Sequence, residues 1–169
     1  GLKAGAMPLH LWLPGAHANP ATHVSALMSG VFIKMGIYGL VRFSGWLPAP
    51  EGAAWVIAVA GVVSAVLGVA FALGQHDLKR LLAYHSVENI GIILIGLGFA
   101  MVAAQHGQDA WGRLAIAGSL LHVWNHGLLK ALLFMGAGSV LHATGTREMS
   151  RLGGLWRGMP WTAAMFALG

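Results

Sequence analysis

Apolar residues fall along this chain in four long blocks, parted by short stretches where charge, proline and glycine collect. The blocks run from Ala21 to Trp46, Gly52 to Leu73, Asp77 to Ala104 and Arg113 to His142, and a fifth opens at Trp161. Each of the four exceeds the roughly 20 residues that a helix needs to cross a bilayer, so the pattern predicts transmembrane helices. The second block carries no charge at all. In the third, Lys79, Arg80, His85 and Glu88 lie in the first turns, and an uncharged run from Asn89 to Ala104 comes after them. Ahead of the first block, the stretch from Lys3 to Pro20 is apolar but interrupted by Pro8, Pro14 and Pro20. Proline removes a backbone donor and clashes with the preceding turn, which predicts a broken or interfacial helix. The implied fold class is all-α: a polytopic transmembrane helix bundle forming one membrane domain over residues 1–169, with a discontinuous helix near the N-terminus.

Composition changes the picture little and excludes much. With 57% hydrophobic and 9% charged residues, the chain has more apolar surface than a soluble domain of 169 residues could bury. The 25 glycines suit close helix contacts, and the absence of cysteine excludes disulfides and thiolate metal sites. The net charge of +5 has no basic cluster with interleaved aromatics behind it, so nucleic acid is not an expected partner, whereas the lipid bilayer is. The chain opens on Gly1 without the zones of a signal peptide, and the run from Trp161 to Gly169 would give only about 13 Å of helix where roughly 30 Å is needed. The expectation is a section of a longer subunit, with partial helices at both ends.

Loop charges set an expected orientation. Lys79 and Arg80 come after the second block, and Arg147, Arg151 and Arg157 after the fourth, so the loops around 74–83 and 143–160 share a side, cytoplasmic by the positive-inside rule. Arg42 and Arg113 fall on the other side with Pro48, Pro50, Glu51 and Asp109.

The candidate chemistry lies inside the blocks. His122, His126 and Lys130 are spaced i, i+4, i+8, so they climb one helix face in steps of about 6 Å. A charge at that depth costs about 2.5 to 3.5 kcal/mol on insertion scales, and its default reading is a proton or ion route. Lys34 stands near the middle of the first block, too far from either end to snorkel easily, and reads as a switchable proton holder. Lys79 is explained equally by loop topology. Glu88 is a candidate charge partner, either for His85 three residues earlier or for a group on another helix. Lys3 is placed either at the interface or in the membrane. His10, His17 and His23 flank the prolines and read as interfacial, although a broken helix also exposes backbone groups and end dipoles useful beside a titrating lysine. His122 and His126 make half of a zinc site, but no carboxylate in that block and no cysteine supplies the rest, so no metal ligand is assigned.

Three stretches carry a resemblance: Pro8-Leu-His-Leu-Trp-Leu-Pro-Gly-Ala-His17; Ser25-Ala-Leu-Met-Ser-Gly30 with Lys34-Met-Gly-Ile-Tyr-Gly39; and Asp77-Leu-Lys-Arg-Leu-Leu-Ala-Tyr-His-Ser-Val-Glu-Asn-Ile-Gly91. They resemble the antiporter-like membrane subunits of respiratory complex I, Mrp-type cation/proton antiporters and membrane-bound hydrogenases, over the whole chain. Within that family, His23 to Gly30 and His85 to Gly91 most resemble the hydrogenase-4 and formate hydrogenlyase members. The resemblance implies that Lys3 is the lysine of a discontinuous helix, Lys34 that of the next helix and Lys79 one near the start of a later helix. His122, His126 and Lys130 would form the central-axis proton relay. Gly15 replaces the family's usual acidic residue.

The function expected is proton translocation through a buried Lys/His axis in a bacterial inner-membrane complex, coupled to redox chemistry elsewhere. Partners would be other membrane subunits and a peripheral redox arm. No cofactor is expected in this chain; iron–sulfur clusters and a nickel–iron site or flavin are expected in the partners. The competing readings are a sodium/proton antiporter subunit, a structural scaffold with a vestigial relay, and a membrane metalloenzyme.

Overall fold

The computed structural model describes residues 3–46, 50 and 52–169; Pro48 and Glu51, loop residues by their sequence, lie outside the described set. Helix α1 (Trp12–Ala18) gives way to a break at 19–21 and then to α2 (Thr22–Leu27), a π-helical turn (Met28–Phe32) and α3 (Ile33–Trp46), which continue one another. Helices α4 (Ala53–Leu73), α5 (Leu78–Gln105) and α6 (Asp109–Thr144) form the rest of the bundle, and α7 (Leu155–Gly158) and α8 (Pro160–Leu168) come last. Among the described residues, four segments are long and apolar enough to cross a membrane: Thr22–Trp46, Ala53–Leu73, Leu78–Gln105 and Asp109–Thr144.

These segments match the four blocks, with differences at the ends that have local causes. Asp77 is not the first residue of α5 but its N-cap, accepting from the Arg80 N–H at 3.1 Å. Helix α6 begins a turn before Arg113, with Asp109 in a first turn that favours negative charge, and it stops at Gly145, whose φ of +70° ends the helix in the left-handed region. Pro14 does not break a helix as expected. It lies in the first turn of α1, where its missing N–H has no helical partner to lose, and the chain breaks at Pro20 instead.

Small residues decide how α4 and α5 pack. Ala54, Ala58, Gly61, Ser64, Gly68 and Ala72 form the buried stripe of α4, recurring every three or four residues. A Cβ on Gly61 would lie 2.7 Å from the Gly91 carbonyl oxygen; one on Gly68, 2.7 Å from the Glu88 nitrogen; one on Gly98, 2.6 Å from the Ala58 nitrogen. The two backbones therefore touch, antiparallel, which only such residues allow. Helix α6 runs antiparallel to α5 and to α2, with Gly30 against Gly127 and Gly138 against Thr22.

Large apolar side chains are left outside, as membrane-crossing helices that meet lipid or further helices require: Val56, Val59, Val66, Leu114, Leu121 and Leu128 are all exposed. Exposed Trp46, Trp55 and Trp111 gather at the end where α3 stops and α4 and α6 start, in the manner of an interfacial belt. At the other end the loops meet. The Leu78 N–H donates to the Arg147 carbonyl and the Met149 N–H to that of His76, and Arg147 Nε lies 2.6 Å from Asp77 Oδ2. The loops around 74–83 and 143–160 thus share one side of the bundle, as their charges imply. The N-terminal stretch is tied to α4, since the Met7 N–H donates to Ser64 Oγ at 2.9 Å.

Candidate functional site

Helix α6 buries one stripe along its 36 residues: Gly112, Ser119, His126, Lys130, Phe134, Ala137 and Val140. His126 and Lys130, one turn apart, are therefore turned into the bundle, at 4% and 3% exposure. Lys130 Nζ donates to the Leu82 carbonyl oxygen of α5 at 2.9 Å. Lys34 is also buried, at 8%, just after the π-helical turn, and its ammonium donates to the Ser29 carbonyl oxygen within that turn. The extra residue of a π turn loosens the regular ladder, leaving a carbonyl available to a side chain. Ser29 Oγ in turn pairs with Ser86 Oγ of α5 at 2.9 Å, joining the first span to the third.

His122, His126 and Lys130 share one cleft with α5, whereas Lys34 lines a separate apolar groove with Gly30, Val31, Val123 and Gly127. His122 and His126 lie parallel, ring centroids 6.1 Å apart and 7° between planes, and His122 Nε2 is 2.9 Å from Asn89 Oδ1 on α5. Asn89 and His122, with His85, Glu88, His126 and Lys130, line a cleft of about 540 Å³ between α5 and α6. Glu88 takes the local partner of the two considered for it: its Oε2 is 2.6 Å from His85 Nδ1.

The other two lysines lie differently. Lys79 is buried, but its Nζ donates to the Pro20 carbonyl at 2.9 Å, in the break between α1 and α2. The Ala18 carbonyl of the same break accepts from Arg147, and the His17 carbonyl from Ser25 Oγ at 3.1 Å. These oxygens have no helical N–H to meet, and each receives a side-chain donor. Lys3 is exposed, in a turn whose next residue, Ala4, lies against α3 at Gly36.

Sequence reasoning misses His17, Ser29, Ser86 and Asn89. The prolines around His17 suggest an interfacial residue, yet it is fully buried, its ring stacked on Phe134 at 4.7 Å between centroids, with neither nitrogen hydrogen-bonded to protein. Both nitrogens of His126 are likewise without a protein partner. Buried imidazole nitrogens are ordinarily satisfied, which sets these two rings apart from the rest of the interior. The signal for Asn89 is present in the run His85-Ser-Val-Glu-Asn89, four polar side chains at the head of an apolar span. Among the described residues no three His, Asp or Glu side chains converge as a metal site would require.

The arrangement gathers the His122 and His126 imidazoles and the Lys130 amine of α6 against His85, Glu88 and Asn89 of α5, with Lys34 buried on α3. Chemically, such a set can hold and exchange protons. Comparison with known proteins gives the same lineage. The chain is 46% identical to hydrogenase-4 component B of Escherichia coli over 173 residues, covering 100% of this chain and 26% of that protein. It is 45% identical to formate hydrogenlyase subunit 3 of the same organism, over 95% of this chain and 26% of that protein. A chain of the Mrp complex from Dietzia sp. superposes with a TM-score of 0.87 at 28% identity, over 98% of this chain and 29% of that one. The chain thus spans about a quarter of the length of the curated relatives it matches. The family model described as NADH:quinone oxidoreductase/Mrp antiporter, TM matches residues 1–169, and it is to this family of membrane subunits that the chain belongs.

Proposed function

We propose that this chain is the proton-conducting section of a membrane subunit in a complex I-like respiratory or hydrogenase assembly, passing protons along a buried axis of Lys34, His122, His126 and Lys130. The observation that supports this reading is the burial of Lys34, His126 and Lys130 on membrane-crossing helices far apart in sequence. A lysine ammonium so placed needs a hydrogen-bond acceptor or gives up its proton, and each amine here has a single main-chain acceptor. Driving force would come from redox chemistry in a peripheral arm carrying iron–sulfur clusters and a nickel–iron site or flavin. Other membrane subunits would flank this one in a bacterial inner membrane, with the 74–83 and 143–160 loops cytoplasmic. The likeness to an Mrp complex favours a second reading, a cation/proton antiporter subunit.

Lys130→Ala in the full-length subunit, assembled in its complex and reconstituted in vesicles, is expected to lower proton translocation by about 10²-fold, the scale of losing one proton-transfer group, with assembly intact. Unchanged translocation in both Lys130→Ala and Lys34→Met would leave a scaffold role instead. Translocation that tracks an imposed sodium gradient without any redox substrate would favour the antiporter.

A further inference from the structure

Asn89 meets His122 across the α5–α6 interface, and its orientation is determined by the group behind it. Asn89 Nδ2 donates to the His85 carbonyl oxygen at 2.7 Å, one turn back along α5. Turning the amide over would set Oδ1 against that carbonyl, two acceptors facing each other, so the oxygen belongs on the His122 side. It lies 2.9 Å from His122 Nε2 and can only accept. The proton of a neutral His122 therefore sits on Nε2, which leaves Nδ1 as the one nitrogen with a free lone pair.

Any proton that visits the ring is constrained by this arrangement. An amide oxygen does not take up and pass on a proton near neutral pH, so Nε2 leads nowhere. A proton arriving at Nδ1 gives the imidazolium, with Nε2–H still on Asn89. The same proton departs from Nδ1, and the ring returns to its starting tautomer without turning over. The neighbours that bear on the ring are Glu88 and His85 on α5, the parallel ring of His126 and Lys130 on α6, and Lys34 on α3.

We propose that Asn89 is a positioning residue that locks His122 in the Nε2–H tautomer and confines its proton exchange to Nδ1. The inference rests on the proposed proton-transfer function. Its test is ¹⁵N-histidine solid-state NMR of the full-length subunit in its complex in lipid, with His122 assigned by subtracting the spectrum of a His122→Gln variant. The expected wild-type signal is Nε2–H with unprotonated Nδ1, turning to a mixture of tautomers in Asn89→Ala. The wild-type signal is read by itself, so the lock stays testable if Asn89→Ala does not assemble. An Nδ1–H tautomer in the wild type, or an unchanged one in Asn89→Ala, overturns the lock even where Lys130→Ala abolishes translocation. A lock that is seen while Lys130→Ala and His122→Gln both translocate normally overturns the proton-transfer function instead.

Discussion

Three buried lysines look alike in sequence and are held in different ways. Lys34 bonds its own helix at a π turn, Lys130 bonds the neighbouring α5, and Lys79 bonds an irregular segment. Pro20 cannot continue the chain as helix, so the Pro20 carbonyl depends on the Lys79 ammonium for its donor. Leaving that acceptor unmet should cost about 1 to 3 kcal/mol. Lys79→Met is thus expected to lower the thermal stability of the full subunit, and Lys79→Gln, which keeps a donor, to lower it less. A Lys79→Met protein with wild-type melting and lost proton translocation would move Lys79 out of this structural role and into the relay implied by its resemblance. The stacked His17 ring shows the reverse, because a residue that its sequence context places at an interface is among the most deeply buried.

Helices α4 and α5 are joined where neither has a side chain to interpose. Lipid tails are as apolar as leucine, so association in a membrane rests on close packing more than on the hydrophobic effect. Gly98 faces the Ala58 backbone, whereas a Cβ on Gly118 of α6 would meet open space. Gly98→Val should therefore destabilise the full subunit by about 1 to 3 kcal/mol through overpacking. Gly118→Val should leave its melting temperature within error, and equal effects of the two changes would contradict the seam. The seam also sets the rotation of α5 about its axis. That rotation turns Ser86 toward Ser29 of the π-helical turn and Asn89 toward His122 of α6.

At the scale of the molecule, one end of the bundle is tied and the tie runs through Arg147. Its guanidinium reaches Asp77 at the N-terminus of α5 and the Ala18 carbonyl at the end of α1, while its backbone carbonyl accepts from Leu78. A partly exposed ion pair alone is worth little, about 0.2 to 1 kcal/mol, but the carbonyl contact adds the cost of an unmet acceptor. Arg147→Ala should accordingly open the 143–154 segment to limited proteolysis in the assembled complex, and Asp77→Asn, which keeps the contact with Ala18, much less so. Equal protection in both variants would show that the backbone bonds between the loops suffice. The tie lies beside the α1–α2 break, so the chain enters the first span at a point held by two other segments, through Lys79 of α5 and Arg147.

The blocks of apolar residues determined by themselves that this is a bundle of membrane-crossing helices, because bilayer thickness sets their length and lipid excludes unsatisfied backbone. The same spacing put His126 and Lys130 on one face, since helical periodicity is a local property. The motifs determined the family. Only the tertiary structure decided which polar residues meet. Asn89 and His122 are 33 positions apart, Ser29 and Ser86 57 apart, and Lys79 and Pro20 59 apart. Those encounters depend on the crossing of helices and the rotation of each about its axis, which small-residue seams fix in three dimensions. The π turn beside Lys34 was equally invisible, because residues such as Gly30 and Val31 are common in regular membrane helices too, and only packing selects the extra residue in the turn.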